Sequence, residues 1–165
     1  MSLDHHPEAS LRQRLGEAHA AKRDIARWAA AQVEPGETIL LDAGSTTSAL
    51  ADALTKVPGL TGLTVVTAGI SAMGTLGDAQ GIEVIALEGR LRPLSQAFVG
   101  PLTEAAVQRL SFDRAFMGAD SVHAEHGICE ADLEQTRLKE LMMGLARRTY
   151  VLAHGAKLGQ SPFHA

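Results

Sequence analysis

Short apolar runs punctuate this chain, and stretches of helical composition fill the gaps between them. Five runs stand out: 38–42 (TILLD), 63–67 (LTVVT), 82–87 (IEVIAL), 114–117 (RAFM) and 149–153 (TYVLA). Continuous apolar runs of this length, most with β-branched residues, predict strands buried on both faces. Helices are predicted between them at 46–54, 70–76, 101–110 and 133–147, the third opening on Pro101, whose fixed φ suits a first helical position. A leading helix over 11–33, stopped by Pro35-Gly36, precedes the first strand. Strand and helix therefore alternate, which implies right-handed crossovers. The expected fold class is α/β: a doubly wound, mostly parallel sheet with helices on both faces.

The polar clusters sit where such a sheet would use them. Gly44-Ser45-Thr46-Thr47 follows the first strand, Ala68-Gly69 the second and Glu88-Gly89-Arg90 the third. Gly118-Ala119-Asp120 and His154-Gly155-Ala156-Lys157 follow the fourth and fifth. In a doubly wound sheet the carboxyl ends of the strands meet at the crevice that binds ligands.

Composition narrows the field. The chain's 165 residues fit a single domain, taken as 11–165, with 1–10 (MSLDHHPEAS) set aside as a tag remnant or disordered leader without periodic pattern. With 15 Lys+Arg against 19 Asp+Glu there is no basic field for a phosphate backbone, so this chain by itself is not expected to hold DNA. One cysteine, Cys129, excludes an internal disulfide. No apolar run reaches the length of a membrane span and no signal-peptide layout opens the chain, so the expected setting is cytoplasmic, away from the membrane.

Several residues carry candidate chemistry. Gly44, Ser45, Thr46 and Thr47 lie between a buried strand and a helix, where free N–H groups, hydroxyls and the positive helix end suit an oxyanion such as a phosphate. The alternative is that Ser45 or Thr46 merely caps the helix. Lys157 could add a point charge from the opposite wall, or be a solvated loop lysine. Arg90 and Arg92 are further cations near the crevice, Arg92 the favoured one. Asp120 could accept hydrogen bonds from sugar hydroxyls or act as a base, or instead close an Asx turn. Glu130 and Glu134 are weaker candidates, since acids favour a helix start anyway. His123, His126 and Cys129 are spaced like zinc ligands but lack an evident fourth, so no metal is expected. Leu15, Ile25 and Trp28 of the leading helix read as core or subunit-contact groups.

Taken together, five segments resemble the C-terminal domain of DeoR-family transcription regulators, in the family's order and over about 21–159. They are AKRDIARWAAAQVEPGETILLDAGSTTSALADAL, LTVVTAG, EGRLRPLSQAFVGP, FDRAFMGADSV and HGICEADLEQTRLKELMMGLARRTYVLAHGAKLG. The resemblance implies a fold related to ribose-5-phosphate isomerase, a pocket for a phosphorylated sugar or sugar-like metabolite, and no enzymatic activity or cofactor. It further implies a homo-oligomer, probed by an effector that commonly relieves repression of a carbohydrate operon. DNA contact would pass through an N-terminal winged helix-turn-helix that nothing in this chain matches. By the same resemblance Asp42, Gly44, Ser45, Thr46 and Thr47 form the phosphate turn, Thr67 ends the second strand at the pocket rim, Asp120 holds the fourth-strand position, and Lys139 and Lys157 fall in later motifs. The chain departs from the pattern at Ala68, where an asparagine is common, at Glu88-Gly89 in place of paired glycines, and at His154, where an aspartate is frequent. A sugar-phosphate isomerase is the rival reading. Its motif has an aspartate beside the glycine of the fourth-strand turn, where this chain has Met117-Gly118.

Overall fold

The computed structural model describes residues 8–159; of the stretch set aside as a leader, 1–7 lie outside the described residues, while Glu8 and Ser10 make defined hydrogen bonds, with Arg92 and Gln13. The apolar runs become β1 (Thr38–Leu41), β2 (Leu63–Thr67), β3 (Ile82–Ala86), β6 (Phe112–Met117) and β9 (Ala146–Val151). They form one parallel five-stranded sheet in the order β3-β2-β1-β6-β9. From β1 the chain winds outward through β2 to β3, then returns to the other side of β1 for β6 and β9. The reversal opens a crevice at the carboxyl ends of β1 and β6.

Helices cover both faces, and the alternation of side chains along β1 shows how. Ile39 and Leu41 enter a core with α2 (His19–Gln32), α3 (Ser45–Leu54) and α4 (Ile70–Leu76). Leu40 faces the other way, toward a second core that includes Val107 of α5 (Pro101–Val107) and Leu138 and Met142 of α6 (Leu133–Gly144). No helix among the described residues is long and apolar enough to cross a membrane.

Three details differ from expectation. The single leading helix over 11–33 is in fact two: α1 (Leu11–Leu15) and α2. Gly16 ends α1, the Lys22 ammonium donates to the Arg14 carbonyl, and Ala18 takes a left-handed conformation (φ 48°, ψ 43°) that turns the chain before α2. A capping box of Ser10 and Gln13 starts α1. Second, the chain after β3 and after β6 folds into antiparallel hairpins, β4 (Arg90–Arg92) with β5 (Ala97–Val99) and β7 (Ser121–His123) with β8 (Gly127–Cys129). Third, of the two readings for Trp28, core or subunit contact, the core one does not hold: the ring is exposed and meets Tyr150 edge-on.

Candidate functional site

The turn from β1 into α3 is the floor of the crevice. Gly44 is the N-cap of α3 at φ 157°, ψ 171°, a conformation essentially reserved for glycine. With no side chain at the cap, the first N–H groups of a ten-residue helix are left to whatever lies above them. Thr47 and Ser48 turn their hydroxyls back to the Gly44 carbonyl, at 3.1 and 2.6 Å. Ser45 and Thr46 do not: they are 4% and 2% exposed, and their hydroxyl oxygens have no hydrogen-bond partner. The capping alternative for these two residues therefore fails, because Gly44 holds that position and neither hydroxyl closes a cap.

Beside the turn, a buried charge network ties β1 to β6 and α6. Asp42 accepts from the Ala43 and Gly118 N–H groups at 2.8 and 3.1 Å and pairs with the Lys139 ammonium at 2.9 Å. Lys139 also donates to the Gly118 carbonyl at 2.7 Å and to Glu130. Burial works against a charge on Lys139, but Asp42 and Glu130 overcome it and hold the ammonium protonated. Glu130 goes the other way. Burial, with Asp120 and Asp42 nearby, outweighs Lys139 and pushes its carboxyl up to about 8. Burial would also raise Asp120, yet the Arg14 charge, the Ala131 N–H (2.7 Å) and a hydrogen bond with Glu130 together hold it below the usual carboxylate range.

These groups enclose a small cavity at the crevice, about 20 Å³, with room for roughly one water molecule. Gly44, Ser45 and Thr46 line it from below, Gln135 and Lys139 from α6, and Arg14 and Lys157 from the chain's two ends. Lys157 sits half-buried in a short 3-10 turn, and burial with the Arg14 and Lys22 charges lowers its ammonium to about 8. Such mutual strain among cations is what a bound anion would relieve.

The remaining sequence candidates are placed differently. Thr47 is held by the Gly44 carbonyl, and Thr67, fully buried, accepts from the Gly69 N–H at 3.1 Å, so neither hydroxyl faces the cavity unengaged. Arg92 grips Glu8 with two nitrogens, and Asp120 pairs with Arg14. Arg90 pairs with Glu134 at the surface. Cys129 is buried, and in its place Glu125 joins His123 and His126, one donor atom each within 4.8 Å, at the exposed tip of the β7–β8 hairpin. Arg14 and Gln135 escaped sequence reasoning. Gln135 and Lys139 are four apart on α6, one helical step from the buried Leu138 and Met142, and that polar pair beside an apolar stripe is a signal the sequence carries. Arg14 has no such signal, since only the turn at Gly16–Ala18 brings it back.

Residues 17–165 match the DeoR C terminal sensor domain. The chain is 31% identical to a candidate aga operon transcriptional repressor of Escherichia coli O157:H7, covering 95% of this chain and 57% of that protein. It is also 31% identical to the HTH-type transcriptional repressor GlcR of Bacillus subtilis, covering 97% and 60%. The chain thus spans little more than half the length of these curated relatives. Among solved structures, ribose 5-phosphate isomerase A from Neisseria gonorrhoeae superposes with a TM-score of 0.61 at 18% identity, covering 86% of this chain and 53% of that one. The delta subunit of eIF2B from Chaetomium thermophilum gives the same score and identity, covering 87% and 50%. At this identity the likeness is one of fold, and it agrees with the expected α/β architecture.

Proposed function

Since this chain belongs to the family of DeoR C-terminal sensor domains, we propose that it is the effector-binding part of a transcription regulator and that its effector is a phosphorylated sugar or sugar-like metabolite. The observation that carries this reading is the pair of buried, unpartnered hydroxyls on Ser45 and Thr46 at the start of α3. A buried hydroxyl without a partner costs about 1–3 kcal/mol, so its persistence calls for a guest that supplies the missing acceptor. A phosphate fits: it takes hydroxyl and helix N–H donors together and brings a negative charge to the wall that Lys157 lines. Asp42 and Lys139 brace the turn from behind. DNA would be contacted through a part of the regulator outside this chain, with the effector shifting the arrangement of a homo-oligomer.

An isomerase-like enzyme shares the fold, but its chemistry needs a carboxylate able to move protons over an open site. Here Asp42 and Glu130 are engaged by Lys139, and Asp120 by Arg14. The named relatives are transcription repressors, and we read this chain as a sensor without turnover.

The test is thermal denaturation with ribose 5-phosphate and glucose 6-phosphate, each beside its unphosphorylated parent. A ligand at 100 times its Kd stabilises the fold by about 2.7 kcal/mol, an upshift of roughly 5–10 °C at this size. Lys157→Ala should weaken binding by about 1.5–3 kcal/mol with little change in ligand-free stability. Equal shifts from a sugar and its phosphate would refute the phosphate assignment.

A further inference from the structure

The cavity above Ser45 and Thr46 is too small for a phosphate because residues 8–15 lie across it, and these residues precede the 17–165 match to the sensor family. Leu11 is the buried residue of α1, and its N–H donates to the Leu94 carbonyl at 3.0 Å. On either side of Leu11 the segment is pinned by charge. Glu8 sets both carboxylate oxygens on the Arg92 guanidinium, one at 2.8 Å, and Arg14 pairs with Asp120. Both partners are residues that the sequence marks as ligand candidates. At Gly16–Ala18 the chain breaks helix, with Ala18 left-handed, so α1 is joined to the rigid α2 through a turn and not as its continuation.

From this arrangement we infer that residues 8–15 form a strap that shuts the effector crevice, with the Glu8 carboxylate seated on Arg92 as an internal anion that a phosphorylated ligand displaces. The inference rests on the sugar-phosphate reading above. An anion entering the crevice competes with Glu8 for Arg92 while its hydroxyls compete with Arg14 for Asp120, so the charges that close the strap are also those that open it. The side chains of these pairs are only 11–22% exposed, so the strap opens when a ligand supplies the partner that each charge gives up. Closure then taxes affinity, since only the open fraction binds. The strap's state also reports occupancy to whatever part of the polypeptide lies before it.

The experiment combines amide hydrogen exchange with two variants, using millimolar inorganic phosphate and glucose 6-phosphate as probes. In the unmodified chain either probe should slow exchange at Ser45 and Thr46 and speed it at Leu11 and Arg14. Glu8→Gln should speed Leu11 exchange without any probe and tighten probe binding roughly three- to tenfold, as expected when a mostly closed state is relieved. A Leu11→Cys/Leu94→Cys pair, oxidised, should lose probe binding and regain it on reduction. Protection of Ser45 and Thr46 with Leu11 exchange unchanged, and equal binding by the oxidised and reduced pair, would overturn the strap while leaving the anion site standing. No protection at Ser45 and Thr46 in any variant, Glu8→Gln included, would remove the anion site itself and the strap with it.

Discussion

Thr46 illustrates how a single hydroxyl divides stability from function. Its oxygen is buried without a partner, so Thr46→Val, nearly isosteric, should raise ligand-free stability by up to about 1 kcal/mol while weakening sugar-phosphate binding. Denaturant midpoints with and without glucose 6-phosphate measure both; a loss of ligand-free stability would mean that the hydroxyl has a structural partner after all. Glu130 poses a second residue-scale question. Its folded carboxyl titrates near 8 against an ordinary 4.5. Between those values the folded chain keeps a proton that the unfolded chain releases, so this group lowers stability as pH rises from about 4.5 to about 8. Glu130→Gln should flatten the melting temperature over that window, with the gain growing toward pH 8. Melts at several pH values that ran parallel for the two proteins would contradict it.

At the scale of elements, the packing of α2 on α3 sets the position of the candidate site. Ala26, Ala29 and Ala30 of α2 share a core with Leu50, Ala51 and Leu54 of α3, and it is the small side chains that let the helices approach. Ala29 is fully buried, so Ala29→Leu should overpack the contact and cost about 1–3 kcal/mol, or roughly 2–4 °C of melting temperature per kcal/mol. Because α3 begins at Ser45, the same change should weaken sugar-phosphate binding by tilting the turn. Calorimetry and titration together test this, and an unchanged melting temperature would show that the helices have slack that the structure does not suggest.

For the whole molecule, charge decides what the chain holds alone. Its net charge is −4, and the cations at the crevice are engaged with carboxylates or face the enclosed cavity, so they are not presented to a phosphate backbone. The isolated chain should therefore show no operator-specific complex near the ~10⁻⁸ M typical of specific binders at physiological salt. An electrophoretic mobility or anisotropy titration checks this; a tight complex that withstands added salt would place DNA recognition within these residues.

Much of this was already written along the chain. Five apolar runs specified five strands, but only the inner β1, β2 and β6 are largely buried, while β3 and β9, at the sheet edges, are partly exposed; the hydroxyl-rich turn after β1 marked the crevice floor by local chemistry alone. The two hairpins were not legible: β4, β5, β7 and β8 are three residues each, too short for periodicity to register. Nor was the division of the leading helix, which hangs on Gly16 and a left-handed Ala18 within otherwise helical composition. Above all, tertiary structure decided which candidates share a site. It set Lys139 between Asp42 and Glu130, left Ser45 and Thr46 unpartnered while engaging Thr47 and Thr67, and brought Glu8 and Arg14 onto Arg92 and Asp120. Residues roughly a hundred positions apart in sequence meet there because the winding of the sheet reverses at β1, and a pairing over such a distance has no local signature.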